Sequence, residues 1–176
     1  QLSVSEKTIL MDKLESLKTK FDILLIDTGA GIHSDVMYLN SAASEVLVVA
    51  TPEPTSLTDA YALMKVLHQE YRVKRFKLVV NRTESGAEAM AVYQHLLSVA
   101  DRFLNIQIEY VGHLLEDKRL SQAVLSRQLV TELFPDTPVS KCFETVSKNL
   151  FETKAATQMT GNVQFFWRTL ISEVRV

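Results

Sequence analysis

Two periodicities alternate along the chain. Short, mostly apolar runs at 21–26, 45–50, 76–80 and 106–111 predict strands buried on both faces. Between and after them, apolar positions at helical spacing predict helices over 3–18, 34–43, 56–71, 87–103, 120–126 and 140–151. The first carries Val4, Ile9, Leu10, Leu14 and Leu17 on one stripe behind a serine able to cap it; the third aligns Leu57, Tyr61, Met64 and His68. Strands that alternate with helices pair in parallel through right-handed crossovers, so the expected class is α/β: a three-layer, mostly parallel sheet with helices on both faces. This domain is expected to occupy 1–152. A small, polar stretch at 153–161 reads as a linker, and 162–176 as an amphipathic helix with Val163, Phe166, Trp167, Leu170, Ile171 and Val174 on one face and Phe165 beside them.

Composition narrows the class without naming a function. A chain of 176 residues, 47% hydrophobic and with net charge −2, can bury one good core and carries no large basic footprint for nucleic acid. The single cysteine, Cys142, excludes an intrachain disulfide and a multi-cysteine metal site, and fits a reducing compartment. His33, His68, His95 and His113 have no metal-like spacing. No apolar run reaches the roughly 18 residues of a membrane span, and a serine-hydrolase reading fails for want of a G-x-S-x-G elbow.

Candidate chemistry collects where strands end. The run 21–26 passes directly into Asp27, and an acid at the carboxyl end of a buried strand is placed to serve Mg²⁺ and phosphate. Asp27 can also simply cap the turn. Gly29, Ala30 and Gly31 follow, small enough for backbone N–H groups to approach a phosphate. The second strand ends in Thr51-Pro52-Glu53-Pro54-Thr55-Ser56, where flanking prolines stiffen the loop around Glu53, and Ser56 with Asp59 reads as a capping box. Glu53 can equally be a solvated loop acid and Asp59 only a cap. The third strand ends in Asn81-Arg82-Thr83-Glu84; the donor and acceptor of Asn81 suit an adenine edge, or the residue is a turn former. Nothing between Gln1 and Phe21 resembles a glycine-rich loop with its lysine, so the expectation is the second part of a nucleotide-dependent switch protein, separated from its phosphate loop.

Together, FDILLIDTGAGI, EVLVVATPEPTSLTDAYALMKVL, LVVNR, YVGHLLEDKRLSQAV and GNVQFFWRTLI resemble the MinD/ParA group of deviant P-loop ATPases, and within it the flagellar-number regulators FlhG and FleN. The resemblance covers the chain from about Leu2 onward and is most specific at TGAGI and TPEPTSLTDAYAL. It implies a P-loop NTPase-like fold, incomplete at its N-terminal side, with ATP and Mg²⁺ as cofactors. Residue by residue, it implies that Asp27 serves Mg²⁺ as the Walker B acid and that Gly29 to Gly31 form the switch turn that senses the γ-phosphate. Asn81 and Arg82 would meet adenine, Asp59 would couple the switch to a dimer interface, and Glu53 would lie near the dimer-facing nucleotide edge. Leu115 stands where relatives usually have a proline against the base, which departs from the pattern.

The resemblance further implies an ATP-hydrolysing regulator of flagellar number or placement, dimeric with ATP, in the bacterial cytoplasm and peripheral to the inner membrane. Phe165, Phe166, Trp167, Leu170 and Ile171 would be its lipid-facing wedge, and flagellar assembly or regulatory proteins its partners. The chain by itself is expected to be inactive. Two alternatives stand beside this reading: a non-catalytic partner-docking module, and a division-site or partitioning ATPase of the same superfamily.

Overall fold

The computed structural model describes Glu6, Ile9, Lys13 and residues 23–152. They belong to two compact units, Gln1–Glu45 with Met159–Val176, and Val46–Gln158. Most of the expected helix 3–18, together with Phe21, the linker 153–161 and the helix 162–176, lies outside the described residues.

In the first unit, helix α1 (Ser34–Ala42) forms as expected and buries Met37, Tyr38 and Ala42. The stretch before it departs from expectation. Residues 23–29 form no strand, Ile23 and Leu24 are exposed, and Leu25 is 84% exposed. A strand exists only by exchanging backbone hydrogen bonds with a neighbour, and residues 23–29 take part in no ladder among the described residues. An apolar run alone therefore does not make it one.

The second unit is built in the order β1 (Leu47–Ala50), α2 (Pro54–Tyr71), β2 (Arg75–Thr83), α3 (Gly86–Phe103), β3 (Gln107–Leu115), α4 (Lys118–Leu125), α5 (Val130–Leu133) and α6 (Pro138–Glu152). The strands form one sheet in the order β1-β2-β3, and both pairings are parallel. The α/β class expected from the alternation is the one observed. Phe76, Lys77, Leu78, Val79 and Val80 are buried in succession, and because successive side chains point to opposite faces, both faces of β2 are covered. Helix α6 covers the face that bears Val79 and Val111, through Val146 and Leu150. The polar member of this buried run is Lys77, 6% exposed, whose Nζ reaches Oε2 of Glu109 on β3 at 3.1 Å. The two residues are register partners, so the charge is satisfied across the ladder.

Strand β3 runs four residues farther than the apolar run 106–111 implied, because its pairing with β2 passes through two irregularities. Leu78 pairs with Tyr110 but Val79 with Gly112, so Val111 is an extra residue in β3; Val80 pairs with His113 and Thr83 with Leu115, so Asn81 and Arg82 together oppose Leu114. Each is a bulge in which the additional residue leaves the ladder. Asn149 on α6 donates from Nδ2 to the carbonyl of Val111 at 2.8 Å. Gly112 has φ +152°, and a Cβ there would stand 2.8 Å from Cγ2 of Val146. The first bulge thus brings the backbone of β3 against a β-branched side chain that has little rotamer freedom. Close by, burial pushes the Tyr110 phenol above its ordinary value, with Cys142 adding to the effect.

Helix ends follow recognisable chemistry at other positions than the sequence suggested. Helix α2 begins at Pro54, not Ser56; the Ser56 hydroxyl accepts from the Thr51 N–H at 2.9 Å and ties the loop back on itself. Asp59 sits beyond the first turn and caps nothing there. Side-chain capping is found instead at α3, where Ser85 Oγ accepts from Glu88 N at 3.2 Å and Glu88 Oε2 from Glu84 N at 2.7 Å. Helix α2 ends on Arg72 at φ +63°, with Val73 N donating to Leu67 O and Arg72 N to His68 O. The bond from Arg72 N to His68 O is the αL closing motif, with arginine where glycine is preferred. Helix α6 starts two residues before expectation at Pro138, because the Thr137 side chain precedes it and accepts from Ser140 N at 3.4 Å. The fully buried Ser140 hydroxyl bonds Val130 O at 3.2 Å and Phe134 O at 2.7 Å, fastening α5 to α6.

Gly112→Ala should lower the stability of the fold by about 2–4 kcal/mol, from the unfavourable φ and the overlap with Val146, read as a lower urea midpoint with unchanged slope. Arg72→Gly should raise stability by about 0.5–1 kcal/mol by relieving the left-handed backbone. The same titration checks both.

Candidate functional site at the carboxyl ends of the strands

The carboxyl ends of β1, β2 and β3 lie side by side, and the residues that follow them meet at Arg82. Its backbone takes φ +57°, a left-handed conformation costly for a residue with a Cβ. The bulge at Asn81 and Arg82 places it there, and Asn81 Oδ1 accepts from Arg82 N at 2.9 Å to hold the turn. The guanidinium then spans the sheet edge. Nη1 lies 3.6 Å from Glu53 Oε1, beyond β1, and Nη2 lies 3.5 Å from Glu116 Oε1, beyond β3.

Each acid is held by its own backbone. Glu53 stands just before α2, where its carbonyl accepts from Leu57 N at 3.1 Å; its carboxylate makes no capping bond and is left for Arg82. Glu116 N donates to Thr83 O at 2.9 Å and so extends the β2–β3 ladder by one rung. Asp117 caps α4, accepting from Arg119 N at 2.8 Å. All three members of the cluster are more than half exposed, so the ion pairs stabilise the fold by at most about 1 kcal/mol each. Their importance is to shape and charge.

The groups facing this edge fit a nucleobase. The Asn81 amide nitrogen has no hydrogen-bond partner among the described residues, whereas its oxygen already serves Arg82. A half-buried Leu115, register partner of Thr83, adds apolar surface beside it. Thr51 Oγ1, just past the end of β1, is buried and has no partner among the described residues. An orphan hydroxyl and an idle amide donor at one sheet edge are unmet hydrogen-bonding capacity. The cluster of one guanidinium and two carboxylates carries net charge −1, which suits the base end of a nucleotide better than the phosphates.

Of the remaining candidates, Asp59 belongs to the same unit as this cluster, and Asp27, Gly29 and Gly31 to the other. Asp59 is exposed on α2, one turn in. Asp27 is exposed, Gly31 has φ +99°, and a Cβ on Gly29 would meet nothing. A tight turn after the acid is therefore present, but not at a strand's end. No group of three or more His, Cys, Asp or Glu able to hold a metal occurs among the described residues. One carboxylate is compatible with Mg²⁺, which keeps waters and takes its other ligands from phosphates. Among the described residues no helix is long and apolar enough to cross a membrane.

Glu116 is a member of the cluster that the sequence did not single out. Its signal was an acid directly following an apolar strand, the same signal that drew attention to Asp27.

No protein-family model matches the chain. Individual proteins do. Over 170 residues it is 34% identical to the antiactivator FleN of Pseudomonas aeruginosa, an alignment that takes in 97% of this chain and 61% of that protein. Over 161 residues it is 26% identical to the flagellum site-determining protein YlxH of Helicobacter pylori, covering 89% of the chain and 54% of the relative. The septum site-determining protein MinD of Synechocystis is 30% identical over 107 residues, 61% of the chain and 39% of MinD. The chain thus spans roughly half to three fifths of the length of FleN and YlxH. In three dimensions it superposes on the cell division ATPase MinD of Pyrococcus furiosus with TM-score 0.65, 22% identity, 84% of the chain and 59% of MinD. MinD of Pyrococcus horikoshii, solved with Mg-ADP, gives TM-score 0.64 at 21% identity over 85% of the chain and 58% of that structure. In sequence and in fold, the chain is a MinD/ParA-type relative of FleN and FlhG.

Proposed function

We propose that this chain is the base-binding and switch-bearing part of an ATP-dependent regulator of flagellar number or placement. The observation that carries the proposal is the convergence of Glu53, Asn81, Arg82, Leu115 and Glu116 at the carboxyl edge of a parallel sheet, where α/β proteins bind nucleotides. Similarity to a FleN and a flagellum site-determining YlxH supports the flagellar setting. The Mg-ADP bound to one MinD neighbour supports the ligand.

In this reading Asp27 would help to hold Mg²⁺, and the turn from Gly29 to Gly31 would sense the γ-phosphate. Such chemistry needs positioning and charge stabilisation rather than a strong base. ATP closes two copies into a dimer, with Asp59 and Glu53 near the join. The dimer associates with the inner face of the bacterial membrane through the apolar face of the C-terminal segment, and flagellar assembly or regulatory proteins are its partners. A partner-docking module without nucleotide is favoured by one observation, the exposure of Asp27 in a segment, 23–29, that forms no strand.

ATP turnover by the full-length native protein decides between them. Asp27→Ala should lower Mg²⁺-dependent hydrolysis at least tenfold, the scale expected when a metal-positioning acid is lost. Turnover that does not change, or that is absent from the native protein, would remove the enzyme reading and leave the docking one. For the membrane, co-sedimentation with anionic vesicles in the presence of ATP should fall severalfold in Trp167→Glu. Equal sedimentation of both forms would exclude the tail as anchor.

A further inference from the structure

We infer that Arg82 sets base preference indirectly, by occupying two carboxylates that would otherwise draw guanine. The inference rests on the nucleotide reading above and goes beyond it in assigning Arg82 a partner set and a reason. A direct contact between Arg82 and adenine is the simpler expectation, but the guanidinium is already committed. It faces Glu53 at 3.6 Å on one side and Glu116 at 3.5 Å on the other.

Consider what this edge offers a base. Adenine presents an N6 amino donor beside the N1 acceptor. Guanine presents O6 as acceptor with N1–H and the N2 amino group as donors. Ionised carboxylates only accept, and two parallel N–H groups are their best partners. A free Glu116, one residue past Leu115 and fixed by the bond from its own N–H to Thr83 O, would be a ready acceptor for the N1–H and N2–H pair of guanine. With the guanidinium across it, the carboxylate's charge is answered from within the protein. What then remains toward the base is the unpaired Asn81 amide donor, free to meet an adenine ring nitrogen, and the second lone pair of its oxygen for the N6 amino group.

Geometry also explains why the residue is held in an unfavourable backbone conformation. From an ordinary strand position, a side chain would point to one face of the sheet. The two-residue bulge and φ +57° take Arg82 off that alternation and let it bridge ends on either side of β2. Backbone strain of this kind persists where the surroundings over-determine it, and here the bulge and the bond from Arg82 N to Asn81 Oδ1 do so.

The test compares Mg-ATP and Mg-GTP binding by calorimetry on the full-length native protein. Arg82→Gly removes the guanidinium while suiting the left-handed backbone, so it should fold at least as well as the native chain; Arg82→Asn, also tolerant of that conformation, serves as the second variant. In both, the ratio of ATP to GTP affinity should fall about tenfold, the scale of a hydrogen bond to a charged group gained by the competing base. Adding Glu53→Ala and Glu116→Ala should return the ratio to the native value. An unchanged ratio in both Arg82 variants overturns the inference and spares the nucleotide reading. A ratio that falls but is not restored by removing the acids also overturns it, since Arg82 would then touch adenine itself. A native protein that binds neither nucleotide overturns both.

Discussion

The second unit depends on β2 being a middle strand. Its backbone is bonded on both edges and its side chains are buried on both faces, so every other element is placed relative to it. Five consecutive buried residues, four of them apolar, supply about 1.5–3 kcal/mol for each large apolar side chain. None of this burial survives unless α6 lies on one face, helices lie on the other, and β1 and β3 complete the ladder. The same constraint positions the site. A strand anchored this firmly can leave regular geometry at its last residues, and Asn81 and Arg82 do so at the sheet edge where β1 and β3 also end.

Much of this architecture was legible in the residues. Runs such as FKLVV and the stripes of 56–71 and 87–103 fix element type, because period-two and helical periodicities differ and the runs are bounded by turn residues. The parallel class followed from alternation alone. What failed was the run before Asp27: Ile23, Leu24 and Leu25 are exposed and 23–29 form no strand, so neither the burial nor the ladder that an apolar run suggests is found there. Helix starts misled for a related reason. Ser56 and Asp59 have capping-box spacing, yet a proline at the first helical position of α2 moves its start forward, and the serine hydroxyl turns to Thr51. The short α5 was invisible because four residues are too few to show a periodicity; Val130 packs with Ala123 and Val139, and the Ser140 hydroxyl bonds two carbonyls.

The candidate site was legible as a set of residues but not as an arrangement. Glu53, Asn81, Arg82 and Leu115 could each be picked out because they follow strands. That one guanidinium would bind acids from both neighbouring strands depends on a backbone bulge, and bulges leave no clear trace in hydrophobic pattern. Glu116 was overlooked for the same reason: in a regular ladder it would have pointed away from Arg82 or lain out of reach. Energetically the cluster is slight and exposed, so its form comes from the backbone that presents it rather than from the ion pairs.

The two bulges between β2 and β3 cancel. An extra residue enters through β3 at Val111, another leaves through β2 at Asn81 and Arg82, and Thr83 meets Leu115 at the offset with which Arg75 met Gln107. For inheritance this means that the lengths of the two strands are not independent. A deletion in one alone would reverse which face every later side chain presents, whereas paired deletions would restore a regular ladder and remove the turn at Arg82. Descendants of this sheet can therefore lose the bridging arginine through a change of length, with no substitution at position 82, and comparison by residue identity alone would not register the loss.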